Sequence, residues 1–479
     1  MYPENQTIGQ QGYGRQYRMK LVIDSLAIVE HAEIDLDGIT VIAGENNVGK
    51  STLGKALFAL VNSFSNVFSS PEEEVANALR LTFRRFYEEQ VDIEENNGQS
   101  TLNFESPTNS TRISRAGFSF SLGGMARDMA KGLRFEATPA SVKAFIESYH
   151  STGMHKRIAD KFKSFVREGD SQEFVARCVR ILKLTDSSFS KAFSERTFGS
   201  VFDGQVSSRI IKAGNKPDIC LVDSNGTELI RTTFNGDRCL ESSSQLDTET
   251  RAILLDDPSV VDGLADDYRR MGRSLAMPKS TLQQLILESD ENETLADFLL
   301  AEQDGQDFLS VLDTAYEGKL KQNHDHEWVL YGNRELTEPI KTSNSSKGSK
   351  SVALLRILVE ENVIRRGDFL ILDEPEIHLH PGWQIIYAEA LVVLSKELGV
   401  RLLITSHSPY FIEAIETYAE KYDWTDKTGI YVSNVSKNGS VRYLRADEER
   451  KAQVFESMAK PFDILERTRA AKMFGDEDA

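Results

Sequence analysis

The chain has 479 residues, of which 40% are hydrophobic and 27% are charged, a balance typical of a globular protein with a large core and two or three domains. No apolar run reaches the roughly 18 residues that a membrane-spanning helix needs, so we expect no membrane partner. The net charge of −18 argues against a surface devoted to nucleic acid, although residues 127–183 hold 12 Lys or Arg against 7 Asp or Glu.

Residues 1–18 form a polar stretch that we predict to be a disordered tail, because it has neither an apolar core nor a signal-peptide pattern. The cysteines Cys178, Cys220 and Cys239 are scattered without a metal-binding spacing. An odd number of unpaired thiols favours a reducing compartment, so we expect a cytoplasmic protein.

Residues 19–70 read as three strands and a helix. The strands are predicted at 19–26, 32–36 and 39–44, and the helix runs from Lys50 to about Phe64 with apolar residues at helical spacing. Strand, glycine-rich turn and helix follow each other directly, which is the order that a phosphate-binding loop requires.

Residues 71–325 are less regular. Residues 71–200 read as a mainly helical insertion, with helices at 71–90 and 140–184 and an extended stretch at 101–120. No heptad pattern is sustained over several turns, so a long coiled coil is not expected. Residues 201–325 read as a β meander over 207–234 followed by a helical, acidic part over 280–316.

Residues 326–445 return to alternating strands and helices. Strands are predicted at 326–331, 368–374 and 401–406, and helices at 349–363, 381–398 and 409–422. The continuous apolar runs FLIL and LLIT indicate strands that are covered on both faces, as in a parallel sheet. We therefore predict one α/β sheet closed by distant parts of the chain, with a helical and acidic tail at 446–479.

Residues 44–51 satisfy the GxxxxGK[ST] pattern of a phosphate-binding loop, the P-loop. Its glycines let backbone N–H groups turn toward phosphate oxygens, Lys50 reaches the terminal phosphates, and the Ser51 hydroxyl suits Mg²⁺. We therefore expect a nucleoside triphosphate and Mg²⁺ as ligands. The candidate binding residues of the loop are Gly44, Asn46, Asn47, Val48, Gly49, Lys50 and Ser51.

Two buried strands end in polar residues that suit phosphate chemistry. Asp373 and Glu374 follow FLIL, where Asp373 would bind Mg²⁺ and Glu374 would polarise the attacking water as general base. His407 follows LLITS one strand–helix unit later, where an imidazole can hydrogen-bond a terminal phosphate. The candidate catalytic residues are therefore Glu374, His407 and Lys50, and the candidate metal ligands are Ser51 and Asp373.

Two further patterns are less specific. The hydroxylated stretch at 343–349 precedes a helix, whose free N–H groups can receive an anion or can simply be capped by the loop. His378 and His380 in EIHLHP would point to one side of an extended segment, as metal ligands can, but packing and hydrogen bonding across subunits are the alternative interpretation.

The P-loop, a Ser-x-Gly before a helix, LDEPEIHLHP and ITSHSPYFI, in that order, resemble the ABC-type ATPases of the SMC, RecF and OLD group. The likeness extends to the stand-alone AAA-family ATPases of bacterial antiphage systems and to the OLD nucleases. The resemblance covers residues 19–62 and 328–422 and includes almost nothing of the segment between them. The resemblance implies an α/β P-loop NTPase fold of ABC/SMC-like type, with a split ATPase core and a mainly helical inserted arm or lid.

By position, the resemblance implies ATP as the nucleotide and adds Thr52 to the phosphate and Mg²⁺ contacts. Ser346 and Gly348 would form a signature that reaches the γ-phosphate held by a second subunit, so that a homodimer or a higher homo-oligomer completes the site. Lys347 departs from the LSGGQ signature, which leaves the details of that contact open. Gln205 is only a weak candidate for the Q-loop glutamine.

The resemblance implies an ATPase that serves as sensor and scaffold of a bacterial antiviral system, as in PARIS or Septu, and that holds a separate nuclease or toxin. The segment after Tyr422 lacks the spaced acidic cluster of a metal nuclease, so we expect no nuclease in this chain. The alternative is a RecF- or SMC-like DNA-maintenance ATPase that clamps DNA and contacts nucleic acid through 127–183. An ABC transporter subunit fits poorly, because LSGGQ is missing.

Overall fold

The computed structural model describes residues 18–65, 70–96, 115–150, 155–210, 216–246, 248–263, 277–292, 305–316, 318–323, 328–331 and 338–474. The chain divides into two compact units. We call Met1–Phe68 together with Lys191–Ala479 the body, and Ser69–Ser190 the insert. The domain boundaries drawn from the sequence stay predictions. None of the described helices is long and apolar enough to cross a membrane.

The body contains both strands and helices, whereas the described part of the insert is helical. The strands are β1 Met19–Leu26, β2 Val29–Asp35, β3 Ile39–Ala43, β4 Asp218–Asp223, β5 Glu228–Asn235, β6 Arg238–Ser244, β7 Ala252–Leu255, β8 Lys319–Gln322, β9 Trp328–Tyr331, β10 Ile340–Lys341, β11 Phe369–Asp373, β12 Arg401–Ser406, β13 Thr428–Val435 and β14 Val441–Arg445. The helices are α1 Lys50–Asn62, α2 Pro71–Asn96, α3 Arg115–Leu133, α4 Pro139–Ser148, α5 His155–Glu168, α6 Gln172–Leu182, α7 Asp186–Val201, α8 Pro278–Asn292, α9 Gln306–Ala315, α10 Lys347–Glu360, α11 Pro381–Leu398, α12 Pro409–Lys421 and α13 Glu448–Phe474.

One large sheet organises the body. Within the described residues it has eleven strands in the order β6-β5-β4-β1-β2-β14-β13-β3-β12-β11-β7, and β10-β9-β8 form a separate small sheet. The strands from β13 to β7 run parallel, whereas those from β6 to β2 run antiparallel. Strands from the two ends of the chain therefore share one sheet, which confirms the α/β fold class and the split core.

The register of the parallel strands sets which residues meet at their carboxyl ends. Ser406 of β12 pairs with Ala43 of β3, and Thr405 pairs with Asp373 of β11. The P-loop leaves β3 directly after Ala43, so it emerges beside the end of β12 and one strand away from Asp373. Parallel strands in open α/β sheets place their ligand sites at this edge.

Both faces of the parallel half are covered, which explains why its strands read as continuous apolar runs. Leu370 and Leu372 of β11 pack in one core with α10, α11 and α12, whereas Phe369 and Ile371 pack in the opposite core with α1. A strand that alternates between two apolar cores has no polar face. The sheet can therefore hold the carboxyl ends of β3, β11 and β12 in fixed positions.

The insert has a core of its own, in which aromatic side chains from α2, α5 and α6 meet. The ring centroids of Phe83 and Phe162 lie 5.3 Å apart, and the rings of Phe86 and Phe174 stack at 4.3 Å. Such pairs add to the stability that their buried area provides. The insert is thus a packed helical unit rather than a solvated strap.

Three of the predicted elements are wrong. The helix expected over 140–184 is divided into α4, α5 and α6, which end at Ser148, Glu168 and Leu182. Residues 115–120 were expected to be extended but begin α3, because Leu122, Met125 and Met129 recur at helical spacing and are buried in the core of the insert. Residues 101–114 lie outside the described residues. The first strand expected in the β meander is also not formed over 208–210. The preceding residue, Ser207, makes an isolated bridge to Leu26, and 211–215 lie outside the described residues. The meander instead continues past its predicted end into β6.

Gly54 tests the packing of α1 on β11, because a Cβ at this position would lie 2.8 Å from Ile371 Cγ2. We expect Gly54→Val to lower the free energy of unfolding by about 1–3 kcal/mol, since the added carbons must displace the strand or distort the helix. Chemical denaturation followed by circular dichroism measures the change. Gly199→Ala is the control, because nothing lies within 4 Å of its Cβ in α7. Equal effects of the two changes would contradict the close contact.

Candidate functional site

The P-loop has the conformation that a phosphate-binding loop requires. Gly49 has a φ of 83°, and a Cβ there would lie 2.8 Å from Ile28 Cγ1, so both the backbone and the space demand glycine. α1 starts directly after Gly49, and no side chain caps it. The first turn of α1 therefore keeps N–H groups that can bind an anion at the positive end of the helix dipole.

A cavity of about 560 Å³ lies between the P-loop and the carboxyl ends of β11 and β7. This volume is within the usual range of small-molecule sites. Its wall brings together segments that lie more than three hundred positions apart in the chain. The predicted site residues that line it are Asn46, Asn47, Gly49, Lys50, Ser51, Thr52, Asp373 and Glu374.

Lys50 is the buried cation of the site, with only 4% of its side chain exposed. Its ammonium donates hydrogen bonds to the carbonyl oxygens of Gly44 at 3.0 Å and of Glu45 at 2.8 Å. It also lies 3.3 Å from Glu374 Oε1. A buried charge needs such partners, and this set holds the ammonium at the centre of the loop.

Ser51 and Asp373 meet at the point where Mg²⁺ is expected. The Ser51 hydroxyl donates a hydrogen bond to Asp373 Oδ1 at 3.0 Å. Hydroxyl and carboxylate oxygens are ligands that Mg²⁺ takes, and the ion usually adds phosphate oxygens and water. Within the described residues no group of three or more His, Cys, Asp or Glu could hold a metal by itself. These two residues therefore fit Mg²⁺ that arrives with a nucleotide.

Thr405 holds the carboxylate edge in place, which the sequence did not indicate. Its hydroxyl donates to Asp373 Oδ1 at 2.5 Å and accepts from Glu374 N at 3.0 Å. Glu374 has a φ of 49°, a left-handed backbone that is costly for a residue with a side chain. Thr405 therefore stabilises a strained residue at the end of β11.

His407 lies beside Glu374 rather than on the wall of the cavity. Its Nδ1 is 3.3 Å from Glu374 Oε1, the same oxygen that lies 3.3 Å from Lys50 Nζ. Glu374 thus stands between two groups that can carry positive charge. This arrangement brings the three predicted catalytic residues into direct contact, while their roles stay predictions.

Other predicted site residues lie outside the main cavity. Gly44 and Val48 line a second cavity of about 410 Å³ between the P-loop and α13. Ser346 is the exposed N-cap of α10 and accepts a hydrogen bond from Ser349 N. Gly348 is buried, and a Cβ on it would lie 2.7 Å from the carbonyl oxygen of His378. Close packing of Gly348 against the backbone of His378 in the same subunit is therefore enough to require glycine at this position.

Three weaker candidates remain, namely Gln205, His378 and His380. Gln205 is exposed after α7 and does not line the cavity, and its role as the Q-loop glutamine stays a prediction. His380 caps α11 by accepting a hydrogen bond from Gly382 N at 3.2 Å. His378 lines the cavity. In the part of the chain that the structure describes, the two histidines belong to no metal-binding group.

Several residues of the cavity wall were not predicted from the sequence. The missed residues include Ile28, Asp256, Asp257, Ser351 and Tyr387. Asp256 and Asp257 follow the apolar run AILL of β7 just as Asp373 and Glu374 follow FLIL, so the same pattern would have found them. Tyr387 and Ser351 come from helices that meet the site only through tertiary packing.

Comparison with known proteins gives one family match. Residues 271–413 match the model described as "AAA domain, putative AbiEii toxin, Type IV TA system". The match covers less than half of the chain and includes Asp373, Glu374 and His407 but not the P-loop. No curated protein gives a significant match.

Solved structures of SMC heads resemble the chain as a whole, but only distantly. An SMC head bound to the C-winged helix domain of ScpA has 10% identity and a TM-score of 0.35, with 91% of this chain and 99% of that chain covered. The SMC head of Thermotoga maritima has 11% identity and a TM-score of 0.34, with 90% of this chain and 99% of that chain covered. A third structure is the SMC head of Pyrococcus furiosus with an extended coiled coil, bound to the C-terminal domain of ScpA. It has 11% identity and a TM-score of 0.36, with 92% of this chain and 99% of that chain covered. At such TM-scores the likeness carries no argument.

The sheet order and the P-loop after β3 give the body the α/β architecture of a P-loop NTPase, and the match to an AAA domain over 271–413 agrees with that fold. The fold therefore rests on this chain's own geometry.

Thr405→Val tests the carboxylate edge, because it keeps the shape of the side chain and removes the hydroxyl shared by Asp373 and Glu374. We expect a loss of about 1–3 kcal/mol in unfolding free energy, since buried polar groups lose a partner. Magnesium-dependent nucleotide binding should weaken as well. Thr405→Ser keeps the hydroxyl and should keep both properties. Denaturant titration and calorimetry measure them, and wild-type behaviour of Thr405→Val would show that the hydroxyl does not hold this edge.

Proposed function

We propose that the chain binds ATP with Mg²⁺ and hydrolyses it to ADP and phosphate. The observation that carries this proposal is the cavity bounded by Lys50 and Ser51 from one segment and by Asp373 and Glu374 from another, joined by the 3.0 Å contact between Ser51 and Asp373. A phosphate cradle alone would suit many anions. A cradle with a magnesium-binding pair and an adjacent carboxylate suits hydrolysis of a triphosphate.

Binding draws on charge that is already in place. The phosphates lie against the first turn of α1, and Lys50 exchanges its contact with Glu374 for a more highly charged phosphate oxygen. Ser51 and Asp373 would hold Mg²⁺. When bound, Mg²⁺ neutralises charge that develops on the phosphate oxygens.

Glu374 acts next. Released by Lys50, its carboxylate accepts a proton from the attacking water and leaves a hydroxide-like nucleophile. His407 contacts Glu374 Oε1 at 3.3 Å and orients the carboxylate.

A second copy of the chain completes the site in this proposal. Ser346 stands exposed at the start of α10, where the hydroxyl of Ser346 and the helix N–H groups that it does not cap can face a phosphate on a partner. Large apolar side chains are exposed beside the site, namely Ile377, Ile385 and Tyr410 at 51%, 46% and 70%. A contiguous exposed apolar patch marks a protein contact, and in this proposal the three side chains contribute to such a patch. We therefore expect the chain to form a homodimer or a higher homo-oligomer when ATP is bound.

We further propose that this ATP-dependent assembly serves as the sensor and scaffold of a bacterial antiviral system and controls a separate nuclease or toxin. The sequence motifs resemble those of such ATPases, and the description of the matched family model names a toxin of a type IV system. The net charge of −18 suits a surface that binds protein better than one that binds nucleic acid. Co-purification of the tagged chain with the product of a neighbouring gene tests this role.

A DNA clamp is the second candidate, and the charge of the insert favours it. Residues 127–183 carry a local excess of Lys and Arg, and Arg177, Arg180 and Lys183 are exposed on or next to α6. Binding that depends on both ATP and low salt would support this candidate. DNA binding with the same affinity in the presence and absence of ATP would count against a clamp.

Glu374→Gln separates binding from hydrolysis. We expect ATP affinity to be retained and turnover to fall by at least roughly 100-fold, because the amide cannot accept the proton. Calorimetry and a phosphate-release assay measure the two quantities. Lys50→Ala is the comparison and should lose nucleotide binding. Ordinary turnover by Glu374→Gln would remove Glu374 as the base, and ordinary turnover by Lys50→Ala would remove the P-loop assignment.

Ser346→Arg tests the contact between subunits. We expect the bulky cation to prevent ATP-dependent oligomers while the affinity of the isolated subunit for ATP changes by less than about twofold, because Ser346 lies outside the main cavity. Mass photometry of the chain in the Glu374→Gln background measures oligomer size. Ser346→Ala is the matched control, since it removes the helix cap without adding bulk. Unchanged oligomers in Ser346→Arg would contradict the proposed role in the partner's site.

A further inference from the structure

Glu376 is a buried carboxylate that the proposed hydrolysis does not use. It lies in the turn between β11 and α11 with 2% of its side chain exposed. Its Oε1 accepts hydrogen bonds from Ser406 Oγ at 2.5 Å and from His407 N at 3.3 Å, and its Oε2 is buried without a partner among the described residues. Burial raises the pKa of this carboxyl group, and the hydrogen bond from Ser406 opposes the rise. A group this costly to bury calls for a compensating role.

The hydrogen bonds of Glu376 close into a ring, which we call the Glu376 circuit. Ser406 Oγ accepts from Ser408 N at 3.1 Å, and Ser408 Oγ donates to Gln384 Oε1 at 3.3 Å. Gln384 Nε2 in turn donates to the carbonyl oxygen of Glu376 at 3.2 Å. The circuit therefore links the turn after β11, the end of β12, the cap of α12 and the first turns of α11. Such closed networks hold their members more firmly than single bonds do.

His407 sits inside this circuit. Both of its chain neighbours, Ser406 and Ser408, belong to the ring, and its own N–H is bonded to Glu376. Its imidazole Nδ1 lies 3.3 Å from Glu374 Oε1 and 4.0 Å from Glu376 Oε1, and among the described residues it makes no hydrogen bond. The direction of the imidazole toward Glu374 therefore depends on the backbone position that the circuit fixes.

We propose that Glu376 is a positioning residue, which holds His407 against Glu374 through the hydrogen bonds of this circuit. The inference rests on the proposed ATP hydrolysis. It adds Glu376 as a residue that affects hydrolysis through the position of His407. Without the carboxylate, the Ser406 hydroxyl and the His407 N–H lose their acceptor in a buried place, and the turn that carries His407 rearranges to find another.

The first test is ATP turnover by the full chain with Glu376→Ala, His407→Ala or both changes. We expect Glu376→Ala to lower kcat roughly 10- to 100-fold, as displacing a catalytic group by about 1 Å does, with KM changed by less than about twofold. Because the effect passes through His407, adding Glu376→Ala to His407→Ala should cause no further loss. A further loss as large as in the wild-type background, or full turnover by His407→Ala, would overturn the inference.

Conservative and distant variants separate positioning from folding. Glu376→Gln keeps an oxygen that accepts from Ser406 and His407, so it should recover most of the turnover that Glu376→Ala loses. Ser406→Ala breaks the same circuit and should lower kcat even if Glu376→Ala fails to fold. Ser395→Ala removes a buried hydroxyl of α11 that donates to Val400 O at 3.0 Å outside the circuit, and it should leave kcat unchanged. Wild-type turnover by Ser406→Ala would overturn the inference.

A second readout does not depend on catalysis. Amide hydrogen exchange, resolved to single residues, reports the bond from His407 N to Glu376. We expect Glu376→Ala to speed exchange of the His407 amide at least about tenfold, as a broken hydrogen bond does, and Glu376→Gln to keep it slow. Unchanged exchange in Glu376→Ala would overturn the inference whatever the turnover. A wild-type chain without ATP turnover, in which Glu376 still protects His407, would contradict the proposed hydrolysis and leave the positioning role standing.

Discussion

The site depends on the parallel pairing of β3, β12 and β11. Asp373 is paired with Thr405, and Ser406 is paired with Ala43, so the P-loop and the acidic strand end are separated by one strand. Both faces of these strands are packed in apolar cores, which fix the strand ends against sliding. A shift of one residue in either pairing would separate Ser51 from Asp373 and would turn the core side chains of the strand to the wrong faces. The chemistry of the cavity is therefore a consequence of the register.

The strand ends concentrate opposite charges in a small volume. Lys50 and Glu374 are 3.3 Å apart, and Glu374, Asp373 and Glu376 follow each other within four positions of the chain. The protein compensates by pairing Asp373 with the hydroxyl of Thr405, and Glu376 with the hydroxyl of Ser406 and the N–H of His407, which follows β12. β12 thus serves as the support of the acidic turn as well as a strand of the core.

Much of the core could be predicted because its signals are local. β1, β12 and α11 have the predicted bounds, since apolar runs, a proline at the first turn of α11 and Gly399 at its end mark them. Residues 115–120 could not be assigned, because their helix is stabilised by burial in the insert. Thr405 and Tyr387 could not be found either, since their importance comes from neighbours distant in sequence. The contact of Lys50, Glu374 and His407 agrees with the motif analysis, whereas the catalytic roles of these residues stay predictions.

The most direct test of the shared site is Mn²⁺ electron paramagnetic resonance, in which Mn²⁺ replaces Mg²⁺ in a complex with ATP. Ser51→Ala and Asp373→Asn should each weaken binding of the metal–nucleotide complex, leave metal-free ATP binding nearly unchanged, and show no additional loss when combined, because both act on one ion. Independent, additive losses, or an Asp373→Asn chain that binds Mn²⁺–ATP as the wild type does, would contradict a single site built from the two distant segments.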